Sequence, residues 1–260
     1  MLPVLCFMFT EFKAKRSLGQ NFLINPQILD RIVAAAEINS NDIVLEIGPG
    51  TGNLTEKLIK RAGTVIAVEK DRRLIDDLKN KFTGTEIIEE DVLRLNLKDY
   101  TRFNLVNYKV VGNIPYYITS YLLRTIFEEW PKPELIVLTI QKEVAQRIVA
   151  KPPEMSLLAL SVQLYSDPKI ISYVSKNNFK PQPKVDSAII KLKPKQGAGS
   201  IEQGTIDRVL ALAKKAFAGK RKQLKNTLPE IDFEKLGIKK ESRPEELFLD
   251  QWIRISKQVL

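Results

Sequence analysis

The sequence contains no histidine and only one cysteine, Cys6. Without histidine there can be no Ser-His-Asp hydrolase site, no HExxH metalloprotease site and no zinc deaminase site with its histidine ligand. A single cysteine can form neither an intrachain disulfide nor a cysteine-based metal site, which is typical of proteins in a reducing cytoplasm. We therefore expect a cytoplasmic protein without a bound metal.

Long apolar segments are also missing. The sequence has no apolar run of about 18 residues or more, so it predicts no membrane-spanning helix and no membrane partner. Residues 1–9 are apolar, but they are too few to span a bilayer and lack the cationic segment of a secretory signal. We interpret them as a start-site extension or a stray strand and assign them no function.

Negative charge is scarce relative to positive charge. The 31 Asp and Glu residues stand against 41 Lys and Arg residues, which gives a formal net charge of +10. An excess of this size favours a polyanionic partner such as a nucleic acid. The alternative is a lysine-rich surface that is merely solvated, and charge alone does not decide between the two.

Hydrophobic periodicity predicts an α/β fold, because short apolar strands alternate with helices, the pattern of a parallel sheet covered on both faces. Strands are predicted at residues 42–47, 64–68, 85–89, 109–112 and 135–140, followed by an antiparallel pair at 168–175 and 184–193. Helices are predicted at residues 26–36, 53–61, 72–82, 119–130, 142–150 and 155–165. We therefore predict a doubly wound, seven-stranded, Rossmann-like sheet in a catalytic domain of residues 11–195. Residues 201–260 are predicted to form a small all-α domain.

A glycine-rich turn follows the first predicted strand. Its sequence is Glu46-Ile47-Gly48-Pro49-Gly50-Thr51-Gly52. Glycines let backbone approach a ligand closely at the carboxyl end of a central strand. The dinucleotide-binding fingerprint would need glycine where Asn53 stands, and the Gly-Lys-Ser/Thr of a P-loop is absent. The spacing resembles motif I of the class I methyltransferases, which implies a site for S-adenosylmethionine; the alternative is a purely structural turn.

Acidic residues follow the next two predicted strands. Glu69 ends the second strand, where a carboxylate can accept hydrogen bonds from both ribose hydroxyls of a cofactor. Asp91 and Val92 follow the third strand, where an acceptor suits the adenine amine of the cofactor. Taken singly, Glu69 would more often cap a helix or form an ion pair. Three successive strand ends with suitable groups favour a cofactor site at this edge of the sheet.

The most specific motif is Asn113-Ile114-Pro115-Tyr116, which follows the fourth strand. Adenine N6 is a poor nucleophile because its lone pair is delocalised into the ring. Two acceptors, the side-chain oxygen of Asn113 and a backbone carbonyl from Ile114 or nearby, can hold the two N–H protons and draw the nitrogen towards tetrahedral geometry. Pro115 fixes φ, and Tyr116 offers a face on which the base can stack. The motif thus predicts methylation of adenine N6 without a histidine base; a turn after a strand is the alternative.

Two further motifs complete a pattern that resembles a known family. They are Ser17-Leu18-Gly19-Gln20-Asn21-Phe22-Leu23 and Phe179-Lys180-Pro181-Gln182-Pro183-Lys184-Val185-Asp186-Ser187. With the glycine turn and residues 112–116, they resemble the ribosomal RNA adenine N6,N6-dimethyltransferases from about residue 13 onwards. The resemblance implies cofactor contacts by Gln20, Asn21, Leu23, Glu46, Gly48, Gly50, Gly52, Glu69, Asp91, Val92 and Asn113. It also implies that Tyr116 and Phe179 sandwich the flipped target adenine; without it, Phe179 would be interpreted as core.

The C-terminal region separates two branches of that family. One branch dimethylates two adjacent adenosines near the 3′ end of small-subunit RNA, late in ribosome assembly, and the other methylates one adenosine of large-subunit RNA. The stretch 216–228 resembles an element of the small-subunit branch, with lysine replacing its usual first arginine. We therefore predict a monomeric small-subunit enzyme that grips RNA through Lys220, Arg221, Lys222 and Lys225. A solvated helix face is the alternative for this basic run.

Two functions from other classes stay open at this point. A non-catalytic RNA-binding assembly factor could keep the same fold, although the intact glycine turn and Asn113 motif argue against lost catalysis. A DNA adenine methyltransferase would normally begin its motif with aspartate rather than Asn113.

Overall fold

The centre of the protein is a seven-stranded sheet. Numbered along the chain, its strands lie in the order β4 (86–89), β3 (64–69), β2 (43–47), β5 (109–113), β6 (135–141), β9 (187–194) and β7 (166–174). The computed structural model describes residues 14–97, 99, 105, 107–219 and 222–259. The strands of the sheet are β2 Ile43–Ile47, β3 Thr64–Glu69, β4 Glu86–Glu89, β5 Lys109–Asn113, β6 Leu135–Gln141, β7 Ser166–Val174 and β9 Ser187–Pro194. The seven strands predicted from hydrophobic periodicity are all present.

Strand direction divides this sheet into two parts. The strands from β4 to β6 pair in parallel. Strand β9 runs antiparallel to both of its neighbours, β6 and β7. The last strand of the chain is therefore antiparallel, as predicted, but it lies between β6 and β7 rather than at the outer edge.

Helices cover both faces of the sheet, as a doubly wound fold requires. They are α1 Pro26–Ala35, α2 Thr55–Leu58, α3 Arg72–Lys81, α4 Thr119–Glu128, α5 Lys142–Val149, α6 Leu157–Tyr165, α7 Gln203–Ala218, α8 Leu224–Thr227 and α9 Leu249–Ser256. Apolar side chains of α1, α2 and α3 pack on one face, and those of α4, α5 and α6 pack on the other. None of the helices described is long and apolar enough to cross a membrane.

The start of α1 follows the expected capping chemistry. Asn25 caps α1, with its side chain accepting a hydrogen bond from the Gln27 amide, and Pro26 occupies the first turn.

The predicted length of α2 was wrong, because α2 is a single turn rather than a helix over 53–61. The chain must reverse at once to place β3 beside β2, and the amides of Gly63 and Thr64 already bond to the Asp42 carbonyl.

A second, two-stranded sheet was not predicted. Strand β1 (Phe22–Leu23) pairs antiparallel with β8 (Phe179–Lys180), and Leu23 is in register with Phe179. Strands of two residues are too short to show a hydrophobic period, and these two lie far apart in the chain. The pairing joins the motif of residues 17–23 to the motif of residues 179–187.

The C-terminal helices share an apolar cluster with α6. Leu160 and Leu164 of α6 pack with Trp252 of α9 in this cluster, and the ring of Tyr165 stacks on Phe127 of α4 at a centroid distance of 5.2 Å. Residues 203–259, where described, contain helices and turns only, as predicted. The apolar residues 1–9, like Lys220 and Arg221, lie outside the described residues.

Candidate active site

A cleft opens at the carboxyl ends of β2, β3 and β5. The space between its walls is about 1000 Å³, a volume that includes open solvent at its mouth. Most of the residues predicted to bind the cofactor or the base line it: Gln20, Asn21, Leu23, Gly48, Gly50, Glu69, Asp91, Val92, Asn113, Ile114, Pro115 and Tyr116. The fold thus brings together motifs that are separate in the sequence.

The glycine turn needs its glycines for two physical reasons. Gly48, Gly50 and Gly52 have φ values of 68°, 60° and 80°, in the left-handed region that side chains disfavour. A Cβ at Gly50 would also lie 2.8 Å from the ring of Phe22. A Cβ at Gly52 would collide with the ring of Phe82, and Gly52 is not among the residues that line the cleft. Gly48 and Gly50 therefore shape the cleft, whereas Gly52 permits packing behind it.

Glu69 presents a fixed carboxylate at the end of β3. Its Oε1 accepts a hydrogen bond from the Asp71 amide at 2.8 Å, and its Oε2 accepts one from the Gly50 amide at 3.1 Å. Burial raises the pKa of Glu69 above its usual value. Each carboxylate oxygen can accept a further hydrogen bond. The side chain is thus oriented by the glycine turn and keeps acceptor capacity for hydroxyl groups.

Asp91 is held in the charged form at the end of β4. Its Oδ2 accepts a hydrogen bond from Lys70 Nζ at 2.7 Å, and its Oδ1 accepts one from the Leu93 amide at 3.1 Å. Burial alone would raise the pKa of Asp91, but these hydrogen bonds and the charge of Lys70 lower it below the usual value. The sequence pattern identified Asp91 and missed Lys70, which also lines the cleft.

Glu46 lies inside the protein rather than on the cleft wall. It is fully buried, and within the described chain neither its carboxyl oxygens nor the hydroxyl of Thr55 have a hydrogen-bond partner. Burial raises the pKa of Glu46 to about 8, a value that also includes a lowering effect of the nearby Thr55 hydroxyl and a raising effect of the Glu69 carboxylate. At neutral pH the folded protein therefore holds Glu46 mostly as a neutral acid, and its predicted contact with the cofactor stays a prediction.

The segment 19–23 forms a wall of the cleft through tethers to strand ends. Gln20 Nε2 donates to Asp71 Oδ2 at 2.8 Å. Hydrogen bonds from Arg73, with a further one from Gln20, hold the pKa of Asp71 at about 2. Asn53, which stands where a dinucleotide-binding loop would have glycine, donates from Nδ2 to the Leu23 carbonyl at 3.0 Å. Gln20 and Asn53 thus secure the wall, a role that local sequence does not reveal.

Asn113 is oriented by this same wall. Its Nδ2 donates to the backbone carbonyl of Asn21 at 2.9 Å. A carbonyl can only accept, so the amide nitrogen of Asn113 must face Asn21. The side-chain oxygen is then directed elsewhere, and no described residue donates a hydrogen bond to it. Asn113 therefore has a free acceptor at the end of β5, and its contact with the target amine stays a prediction.

The two predicted stacking aromatics do not meet at the cleft. Tyr116 lines it and is half-buried. Phe179 does not line it and is only 4% exposed, because the pairing of β1 with β8 packs its ring into the apolar cluster of Leu23 and Val174. Of these two aromatics, Tyr116 alone lines the cleft, and stacking by Phe179 stays a prediction.

Besides Lys70, two aromatic cleft residues were missed because their roles depend on neighbours distant in sequence. Phe22 covers Gly50 across the glycine turn. Tyr117 lines the cleft with a side chain that is 63% exposed, and its ring lies against Gly19. The run of two tyrosines after Pro115 was the available signal for Tyr117.

Two of the four predicted RNA-binding residues, Lys222 and Lys225, are described, and neither lines the cleft. Lys222 is exposed, and Lys225 is exposed and forms a surface ion pair with Glu241 at 3.4 Å. A surface ion pair of this kind contributes little to stability, so it would not prevent Lys225 from binding a polyanion. Lys222 is accessible because its side chain is exposed. Lys220 and Arg221 fall outside the described residues.

Comparison with known proteins identifies the family. Residues 11–259 match the model of the ribosomal RNA adenine dimethylase family. The chain belongs to this family. It is 42% identical over 256 residues to Ribosomal RNA small subunit methyltransferase A of Dehalococcoides mccartyi, covering 94% of this chain and 87% of that relative.

Solved structures agree with this membership of the dimethylase family. A dimethyladenosine transferase from Plasmodium falciparum superposes with a TM-score of 0.77 at 30% identity, covering 90% of this chain and 95% of that chain. The 23S rRNA methyltransferase ErmE gives a TM-score of 0.76 at 26% identity, covering 92% of this chain and 99% of that chain. The protein is therefore a methyltransferase with the class I fold.

The cofactor of the dimethylase family is S-adenosylmethionine, and the cleft residues fit it. A Cβ would fill the cradle that Gly50 leaves beneath Phe22. The carboxylates of Glu69 and Asp91 at neighbouring strand ends are acceptors suited to ribose hydroxyls and to an adenine amine. The described residues therefore offer acceptors for the ribose hydroxyls and the adenine amine, and each of these contacts stays a prediction.

The glycine turn gives the first prediction. Gly50→Leu should abolish binding of S-adenosylmethionine in calorimetry while the domain stays folded, because the side chain would displace Phe22 from the cleft wall. Gly197→Leu is the matched control, since Gly197 has a similar φ of 56° but nothing within 4 Å of its Cβ position. Near wild-type affinity in Gly50→Leu, with unchanged binding in the control, would show that this turn does not form the cofactor site.

Glu46 gives a prediction about stability and pH. Its pKa is about 8 in the folded protein against an ordinary 4.5, so between these values the unfolded chain loses a proton that the folded protein keeps. The free energy of unfolding should therefore fall by about 1.4 kcal/mol per pH unit over this window through Glu46.

Glu46→Gln removes that dependence. Urea denaturation from pH 5.5 to 7.5 should show the variant gaining stability over the wild type as pH rises. The difference between the two proteins isolates residue 46 from all other titrating groups. Curves that stay parallel across this range would contradict a neutral Glu46.

Proposed function

We propose that this protein transfers methyl groups from S-adenosylmethionine to N6 of two adjacent adenosines near the 3′ end of small-subunit ribosomal RNA. The step belongs to late ribosome assembly in the cytoplasm, and the enzyme acts as a monomer. The observation that carries the proposal is Asn113, whose side-chain oxygen is freed for a ligand because its nitrogen is bonded to Asn21. The identity to small subunit methyltransferase A supports the choice of RNA.

The chain's own residues hold and orient the cofactor. Gly48 and Gly50 let the backbone approach it, Glu69 accepts hydrogen bonds from its ribose, and Asp91 accepts one from its adenine amine. Asn21 and Leu23 close the site from the N-terminal side. When bound, S-adenosylmethionine supplies a methyl group on a positively charged sulfur, a strong electrophile.

Asn113 and its neighbours prepare the target nitrogen. In the first transfer, the side-chain oxygen of Asn113 and a backbone carbonyl from Ile114 or nearby accept hydrogen bonds from the two N6–H groups, which directs the lone pair out of the ring plane. Pro115 holds the loop with a φ of −57°, and the ring of Tyr116 supports the flipped base. Phe179 is buried outside the cleft lining, so it would form a second face for the base only after its ring moves into the cleft. The nitrogen would be cationic once methylated and would then lose one N–H proton to water, so no strong general base is required.

RNA is gripped through the small helical domain of residues 201–260. Lys220, Arg221, Lys222 and Lys225 contact backbone phosphates, which need positive charge rather than base-specific geometry. The net charge of +10 supports a polyanionic partner. These contacts set the position of the RNA, while the cleft selects adenine.

Methylation of the large-subunit RNA is the second candidate, favoured by the structural similarity to ErmE at 26% identity. Mass spectrometry of nucleosides separates the two candidates after incubation with labelled cofactor. We expect N6,N6-dimethyladenosine in under-methylated small subunits and none in large-subunit RNA. The reverse pattern would establish the second candidate.

The same assay tests Asn113. Asn113→Ala should reduce the methyl-transfer rate by about 10²–10³, the usual cost of one preorganised polar contact, with little change in RNA affinity. Asn41→Ala, at an exposed turn remote from the cleft lining, should retain the wild-type rate. An Asn113→Ala rate within about threefold of the wild type, less than one hydrogen bond commonly contributes, would place the N6 acceptor elsewhere.

The basic run predicts salt dependence. Replacing Lys220, Arg221 and Lys222 with glutamine should make the slope of log affinity against log salt shallower by about 0.7–0.9 for each phosphate that the protein no longer neutralises. Filter binding of small-subunit RNA over a salt series measures this slope. The control variant replaces Lys60, Lys79 and Lys81 with glutamine. These three lysines are exposed and lie in or next to α2 and α3. Equal slopes in both variants would mean that residues 220–222 are only solvated.

A further inference from the structure

Ser187 occupies a rigid position at the edge of the catalytic region. It is the first residue of β9, and its backbone is in register with Gln141 on β6 and with Val174 on β7. The residue is 0% exposed. Because strands flank it on both sides, its hydroxyl oxygen has little freedom to move.

The hydroxyl of Ser187 meets the phenol of Tyr116. The oxygen–oxygen distance is 2.7 Å, which is the usual length of an O–H···O hydrogen bond. Tyr116 itself begins a one-turn 3-10 helix in the loop after β5. Burial raises the pKa of Tyr116, so the phenol keeps its proton at neutral pH. The bond therefore joins a side chain on a loop to a strand of the central sheet.

Such a bond determines how the tyrosine ring is presented. The phenolic oxygen lies at the end of the ring opposite the backbone, so fixing it restrains χ1. The O–H bond prefers the plane of the ring, so a partner in a fixed position also restrains χ2. Ring packing alone restrains a half-buried tyrosine less, because one face is open to the cleft.

We propose that Ser187 is a positioning residue that holds the ring of Tyr116 in the orientation on which the target adenine stacks. This inference rests on the proposed function, in which Tyr116 supports the flipped base. It gives the end of the motif 179–187 a role in the reaction that is separate from the aromatic face of Phe179.

A double-mutant cycle tests the pair. Ser187→Ala and Tyr116→Phe each remove one partner and keep the ring, and each should lower the single-turnover methylation rate about three- to tenfold at saturating cofactor and RNA. The double variant should be no slower than either single variant, because the same hydrogen bond is missing from all three. Ser187→Thr, which keeps the hydroxyl, should recover most of the rate.

Ser166→Ala is the matched control for a purely structural effect. Ser166 is also 0% exposed and begins a strand, and its hydroxyl donates to the Val162 carbonyl at 3.0 Å. Rates are expressed per folded molecule, and cofactor affinity is measured by calorimetry. We expect Ser166→Ala to keep the wild-type rate, and Ser187→Ala to keep the wild-type cofactor affinity while losing rate.

Two outcomes would overturn the inference: a wild-type rate in Ser187→Ala, or losses that multiply in the double variant. Tyr116→Ala separates this failure from failure of the proposed function. If Tyr116→Ala is slow while Ser187→Ala is normal, only the positioning role is wrong. If Tyr116→Ala also methylates at the wild-type rate, the role of Tyr116 in supporting the base is wrong.

Discussion

Parallel pairing of β2 with β3 and with β5 decides where the chemistry of this protein can take place. In this register Ile47 lies opposite Val68 on one side and Gly112 on the other. The residues that follow Ile47, Val68 and Gly112 are Gly48, Glu69 and Asn113, and they therefore lie at the same edge of the sheet. Parallel strands require crossover connections, and the helices that supply them leave this edge open for a ligand.

The wall made by residues 19–23 converts that edge into an enclosed site. It contributes little local structure of its own, but it is tied to three strand ends through Asp71, Asn53 and Asn113. Its most consequential contact is the Asn21 carbonyl, because that acceptor dictates which way the amide of Asn113 points. The proposed cofactor site and the proposed target site thus share one structural element.

In the proposed mechanism, catalysis relies on orientation rather than on acid–base chemistry. The sequence contains no histidine, and the reactive electrophile comes with the cofactor, so the protein has to supply acceptors and a surface for the base. Two carboxyl groups in this region are held in different protonation states. Hydrogen bonds from Lys70 and from the Leu93 amide keep Asp91 charged, whereas burial keeps Glu46 neutral.

The sequence by itself determined the strands, most helices, the glycine turn and the Asn113 motif, because each depends on residues that are close together in the chain. Tertiary structure alone decided the pairing of β1 with β8, the single turn of α2, and the burial of Glu46 and Phe179 away from the cleft. It also decided the bond between Tyr116 and Ser187. These features arise from contacts between distant segments, and neither a two-residue strand nor one buried side chain leaves a periodic signal in sequence.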